Sequence, residues 1–238
     1  MRLHGQTVVL IGGSAGIGFE TARLARLEGA DVIITGRNPD RLSAAAADLG
    51  AASSSAFDAA DLDRLAEFWA ELPKPVDHVL VTAGAPYYAP LADFDFGPAR
   101  RDVDEHLWLA MRVAQLAVGT VRPGGVLLFM GGTGGRRTGA GLSLLGAMTA
   151  ALPALVRNLA VEIAPVRVNL IAAGFVDTPL SARLLGDDRD ARRDELRTTL
   201  PIGRVVGPAD VAALAVHLMT NTALTGATYD IDGGQQLV

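Results

Sequence analysis

Apolar runs of strand length alternate with amphipathic stretches of helix length along the whole chain. Strands are predicted at Thr7–Ile11, Asp31–Thr35, His78–Thr82, Gly125–Met130, Arg167–Ile171 and Thr228–Ile231. Between them, helical periodicity covers Gly18–Glu28, Asp40–Leu49, Leu62–Glu71, Pro98–Val118, Leu142–Ile163 and Ala209–Thr220. Strands that are apolar on both faces and separated by helices predict a parallel sheet covered on both sides. The expected class is therefore α/β: a single-domain, doubly wound, Rossmann-like parallel sheet with helices on both faces, spanning residues 1–238. No internal repeat or low-complexity linker divides it, and Ala44–Ala47 reads as a helical alanine run.

The first strand runs into a glycine turn, VVLIGGSAGIG from Val8 to Gly18, which opens the first helix. Gly12, Gly16 and Gly18 let the backbone turn tightly and lie against a pyrophosphate, with the N–H groups around Ile17 facing the anion. The turn gains weight from its position directly after a strand and before a helix. The second strand ends in Thr35-Gly36-Arg37, where an NAD site wants a carboxylate for the ribose hydroxyls. An arginine instead matches a 2′-phosphate, so NADP is expected in preference to NAD, with Ser14 as a further donor to that phosphate.

Charge and composition narrow the partners. The 238 residues carry a net charge of −5 and the basic residues form no run, which argues against nucleic acid. With no cysteine, disulfides and thiolate metal sites are excluded, and the four histidines have no ligand spacing, so no metal is expected. The uncharged run Thr138–Val156 reaches membrane length but contains Gly139, Gly141, Gly146 and Pro153, and is expected to be a buried helix and not a span. The first residues enter a strand with no signal-peptide layout, so a cytoplasmic location is expected.

Taken together, the motifs resemble the short-chain dehydrogenase/reductase family, at its usual length and over essentially the whole chain. Gly12-x-x-x-Gly16-x-Gly18 matches that family's cofactor loop. Asp58 in Phe57-Asp58-Ala59 matches the aspartate that meets the adenine amino group, and Thr82-Ala83-Gly84 stands where Asn-Ala-Gly is usual. Val166-Arg167-Val168-Asn169 and Ala173-Gly174-Phe175-Val176-Asp177-Thr178-Pro179 match the fifth-strand region, which implies that Thr178 reaches the nicotinamide carboxamide. Pro201-Ile202-Gly203-Arg204, Pro208-Ala209-Asp210-Val211 and Asp230-Ile231-Asp232-Gly233-Gly234 match the C-terminal pattern.

The resemblance also implies an Asn-Ser-Tyr-Lys group, and here the chain departs from it. Counting back from Leu155 through Ile163 places Leu145 at the tyrosine position and Thr149 at the lysine position. From Leu91 to Thr228 the chain has neither a tyrosine nor a lysine, so no local realignment restores the pair. The serine position falls at Gly132 or Thr133, and the asparagine position at about His106. His106, Thr133 and Thr149 are the candidate replacements, His106 first because imidazole titrates near neutrality. A partly exposed histidine, a turn threonine and a back-bonded helical threonine are the plain alternatives. Tyr87 and Tyr88 can overhang the pocket, and Arg136 and Arg137 are placed to border it and hold an anion. Ser181–Thr199, with five basic and five acidic residues, falls in the segment 181–200 expected to be a mobile substrate lid.

The expected activity is that of a divergent NADP(H)-dependent oxidoreductase acting on a small carbonyl or alcohol with a non-standard acid/base group. The alternatives are a non-redox lyase or isomerase on the same fold, or a catalytically silent NADP-binding structural or sensor subunit. Pro98–Val118 and Leu142–Ile163 are apolar on more than one face, and the resemblance implies that they pair between subunits in a homodimer or homotetramer.

Overall fold

The computed structural model describes all of residues 1–238. Seven strands form one wholly parallel sheet in the order β3-β2-β1-β4-β5-β6-β7. They are β1 (Thr7–Ile11), β2 (Asp31–Gly36), β3 (Ser53–Ala56), β4 (Val76–Val81), β5 (Val121–Gly132), β6 (Arg167–Ala173) and β7 (Thr228–Ile231). The chain winds outward from β1 through β2 to β3, then crosses back to β4 and winds the other way. That reversal leaves a crevice beyond the carboxyl ends of β1 and β4, where open α/β sheets bind their ligands.

The helices are α1 (Gly16–Leu27), α2 (Pro39–Leu49), α3 (Leu62–Ala70), α4 (Phe96–Val103), α5 (Leu109–Ala117), α6 (Ser143–Glu162), α7 (Pro179–Leu185), α8 (Arg189–Thr199) and α9 (Pro208–Thr220). Successive strand side chains feed opposite cores because the strand period is two. Val9, Ile11, Val79, Val81, Leu127 and Phe129 join the core beneath α3, α5 and α6. Val8, Leu10, Leu80, Val126 and Leu128 join the core beneath α1, α2 and α9. Both sheet faces are thus dry, as the continuous apolar runs predicted.

Local signals account for the helix starts. Asn38 and Asp61 accept from Arg41 N at 2.8 Å and Arg64 N at 3.1 Å, capping α2 and α3. The buried Arg167 guanidinium closes the far end of α9, donating to the carbonyls of Leu218, Met219, Asn221 and Leu224. A cation among the last carbonyls of a helix satisfies acceptors that the helix leaves open.

Three features differ from the sequence expectation. The edge strand β3 is new, because Ser53-Ser54-Ser55 gives no apolar run to detect. The expected helix Pro98–Val118 is two helices joined by a π-helical turn over Asp104–Trp108. The lid segment resolves into α7 and α8, with Asp177 pairing to Arg189 at 2.8 Å and Arg193 at 3.1 Å. α6 is long and apolar enough to cross a membrane by composition, and it lays Met148, Leu152, Val156 and Leu159 into the protein interior.

Candidate active site

A cavity of about 840 Å³ occupies the crevice, lined from the glycine turn to α8. Its floor is built so that the backbone can approach a ligand closely. Gly12 and Gly16 have φ of +102° and +55°, conformations that favour glycine. A Cβ on Gly18 would stand 2.3 Å from the Gly12 carbonyl oxygen, so only glycine lets α1 pack under the turn. No side chain caps α1 at Ala15, and its first N–H groups stay open toward the cavity. An uncapped helix start beneath a glycine turn fits a dinucleotide pyrophosphate.

The second-strand end supplies cations. Arg37 and Arg41 both line the cavity beside Ser14 and Gly36, and Ser14 packs where a Gly36 side chain would stand. Arg37 lies 3.5 Å from the buried Glu105, and Arg101 bridges Glu105 and Asp58 at 2.7 Å each. Burial opposes ionisation of Asp58, but Arg101 and the Ala60 N–H hold its carboxyl below the usual range. Ala59, Ala83, Gly84, Gly174, Val176 and Thr178 line the same cavity. Gly174 is confined by Asp232 and Gln235, each 2.6 Å from a hypothetical Cβ. Thr178 caps α7, its oxygen accepting from Ser181 N at 3.3 Å, which leaves its hydroxyl proton free.

His106 projects from the π-helical turn into the cavity against Gly84, where a Cβ would lie 3.2 Å from its Nε2. Its Nδ1 faces the Asp102 carboxylate at 2.7 Å and the Asp102 carbonyl at 2.9 Å. Both Asp102 groups accept, so Nδ1 carries a proton and Nε2 is the nitrogen turned to the cavity. Asp102 is held in turn by the Tyr87 N–H at 2.9 Å and is only 3% exposed. Burial disfavours the imidazolium, yet Asp102, with Glu105 beyond it, outweighs that and holds the imidazole above its ordinary value. Extra-wide helical turns of this kind are frequent at functional sites because they re-aim a side chain.

The other candidates fare differently. Thr149 lines the cavity, but its hydroxyl donates back to the Leu145 carbonyl at 2.8 Å. Leu145 presents an apolar side chain to the same space. Thr133 is buried and does not reach the cavity, which Gly131, Gly132 and Gly134 line instead. Arg136 is turned away and pairs with Asp230 at 2.7 Å, whereas Arg137 does line the cavity. Of the tyrosines, Tyr88 lines it, while the Tyr87 hydroxyl accepts from Asp95 N at 2.8 Å. No lysine lines the cavity. Sequence reasoning missed Asp102, Glu105, Arg41 and Arg101; the i,i+4 pairs Asp102/His106 and Arg101/Glu105 were the available signal.

The chain is similar to known proteins over nearly its whole length. The family described as enoyl-(acyl carrier protein) reductase matches residues 12–236. Oxidoreductase asL5 of Sarocladium schorii is 30% identical, covering 98% of this chain and 96% of the relative. The structure of MalC reductase/Diels-Alderase from Malbranchea aurantiaca superposes with a TM-score of 0.90 at 28% identity, covering 100% of this chain and 98% of that one. BdcA in complex with NADPH superposes with a TM-score of 0.87 at 27% identity, covering 98% and 95%.

Proposed function

Because the chain belongs to the short-chain dehydrogenase/reductase family of oxidoreductases, we propose that it is an NADP(H)-dependent reductase of small carbonyl compounds in which His106 is the acid/base group. When bound, reduced NADP supplies a hydride to a carbonyl carbon. The chain's own part is to hold the dinucleotide and to deliver a proton to the carbonyl oxygen. Gly12, Gly16, Gly18 and the open start of α1 hold the pyrophosphate, while Arg37, Arg41 and Ser14 take the 2′-phosphate. Asp58 and Ala59 border the adenine. Ala83, Gly84, Gly174, Val176 and Thr178 border the nicotinamide end.

The observation that carries the reading is the Asp102–His106 pair inside this cleft. Asp102 keeps the Nδ1 proton and orients the ring, so Nε2 is the atom that donates to the substrate oxygen during reduction and accepts during oxidation. Leu145 and Met148 keep that space apolar, which strengthens a hydrogen bond made there. NADPH binding should be measured together with NADPH consumption on a panel of aldehydes, ketones, quinones and imines. Binding with consumption supports the reading; binding with no consumption across the panel overturns it.

A second reading has one observation in its favour: a relative with the same fold is described as both a reductase and a Diels-Alderase. A non-redox conversion in the apolar cavity, with NADP retained as a structural element, would leave NADPH unconsumed while substrate disappears.

A further inference from the structure

Three arginines reach the cavity from the carboxyl ends of β5 and β6, across the sheet from Arg37 and Arg41. Arg137 comes from the loop after β5, Arg183 from α7 and Arg192 from α8. The cavity's carboxylates are all on the opposite wall and all engaged. Asp58 and Glu105 share Arg101, and Asp102 holds His106. Within the lid, Arg189 and Arg193 close on Asp177, Arg192 on Glu195 at 2.6 Å and Arg197 on Asp194 at 2.6 Å. Arg183 alone among the lid arginines is left without a carboxylate. Arg137 spends one nitrogen on the Gln235 carbonyl and keeps the rest of its fork. The Arg192–Glu195 pair is i,i+3 on a half-exposed helix face, so it exchanges readily for another anion.

We propose that this end of the cavity is an anion subsite formed by Arg137 and Arg183 with Arg192 at its edge, and that the substrate is a carbonyl compound whose apolar body ends in a carboxylate or a similar oxyanion. The inference rests on the reductase reading for the word carbonyl, but the anion subsite stands on its own residues. Guanidinium forks match oxyanions bidentately, and in a partly enclosed cleft where Glu195 is the one carboxylate paired with any of the three arginines their field is concentrated. Leu142, Leu145, Met148 and Leu184 line the space between and suit the apolar body. A substrate held at its charged end would place its carbonyl by length, which gives the cavity a ruler.

The test is calorimetric titration of 4-formylbenzoate and of its neutral counterpart 4-formylbenzamide into the protein saturated with NADP⁺. The same titrations are run on Arg137→Ala/Arg183→Ala and on the milder Arg183→Gln. The acid is expected to bind at least about tenfold more tightly than the amide, as for a charge-assisted bond. That preference should vanish in the double variant and shrink in Arg183→Gln, with NADP⁺ affinity unchanged. Equal binding of the two probes, or binding of neither, overturns the subsite. So does a double variant that loses NADP⁺ affinity and keeps the preference, because the arginines would then serve the dinucleotide. Turnover of both aldehydes at equal efficiency would remove the subsite and keep the reductase. Selective binding of the acid with no NADPH consumption on any member of the carbonyl panel would keep the subsite and remove the reductase.

Discussion

The Asp102 carboxylate lies 2.7 Å from His106 Nδ1, one helical turn before it, and this contact fixes which imidazole nitrogen faces the cavity. His106 lies within the π-helical turn Asp104–Trp108, which interrupts the helix between α4 and α5. Asp102→Asn should keep the fold and NADPH binding, since the amide still fills the same buried site. It should lower the rate roughly 10- to 100-fold, the worth of a charged hydrogen bond. Its diagnostic readout is the pH profile. Reduction by the native protein should decline with rising pH above the ordinary imidazole range, and in the variant that decline should move to lower pH. An unmoved limb would mean that Asp102 is only structural.

Arg37 sits at the end of β2 with Arg41 beside it, and in the free protein its nearest carboxylate is Glu105 at 3.5 Å. At that distance the ion pair is weak and gives way to a phosphate. Arg37→Ala should weaken NADPH binding roughly 10- to 100-fold and leave NADH binding nearly unchanged. Equal affinity of the native protein for the two dinucleotides would refute the assignment.

His78 is buried in β4 with Nε2 2.7 Å from the Gln6 side-chain oxygen. Burial, with Arg122 and Arg167 adding to it against Asp77, pushes its imidazole down to about 3 from 6.5. Between these values the unfolded chain binds a proton that the folded chain does not. Its contribution is therefore complete above pH 6.5 and is lost as pH falls toward about 3. The slope approaches at most about 1.4 kcal/mol per pH unit. Denaturation curves across that window should flatten in His78→Gln; an unchanged slope would place the acid sensitivity elsewhere.

The π-helical turn, α5 and α6 leave Trp108, Met111 and Val161, respectively, exposed at 49%, 44% and 78%. Apolar surface of this kind is expected to be covered by a second copy. Light scattering should therefore give a dimer or tetramer, and Trp108→Glu with Met111→Glu should shift it toward monomer. A native monomer at micromolar concentration would contradict this.

Most of the scaffold was legible because it is written in period and punctuation. Val8–Ile11, Val79–Val81 and Val126–Phe129 are apolar at every position, which only a doubly covered sheet explains. The glycine turn was legible for the same reason, since Gly18 occupies a place where any side chain would strike the Gly12 carbonyl. The short edge strand at Ser53–Ala56 was not, because its polar residues carry no burial signal. Site residues split along similar lines. His106 stood out by chemistry, but its partner Asp102 looked like one more charge on a charged helix. Thr133 and Arg136 were adjacent in sequence to cavity-lining glycines and Arg137, and a turn of the backbone sends them elsewhere.

His106 carries the proposed proton transfer. Once a substrate is found, the decisive measurement is kcat at saturating NADPH and substrate for His106→Gln beside the native protein, with NADPH affinity measured on both. Loss of a general acid predicts a fall of roughly 10²- to 10⁴-fold in kcat with NADPH affinity unchanged. An unchanged kcat would contradict the assignment of the acid/base role to this side chain.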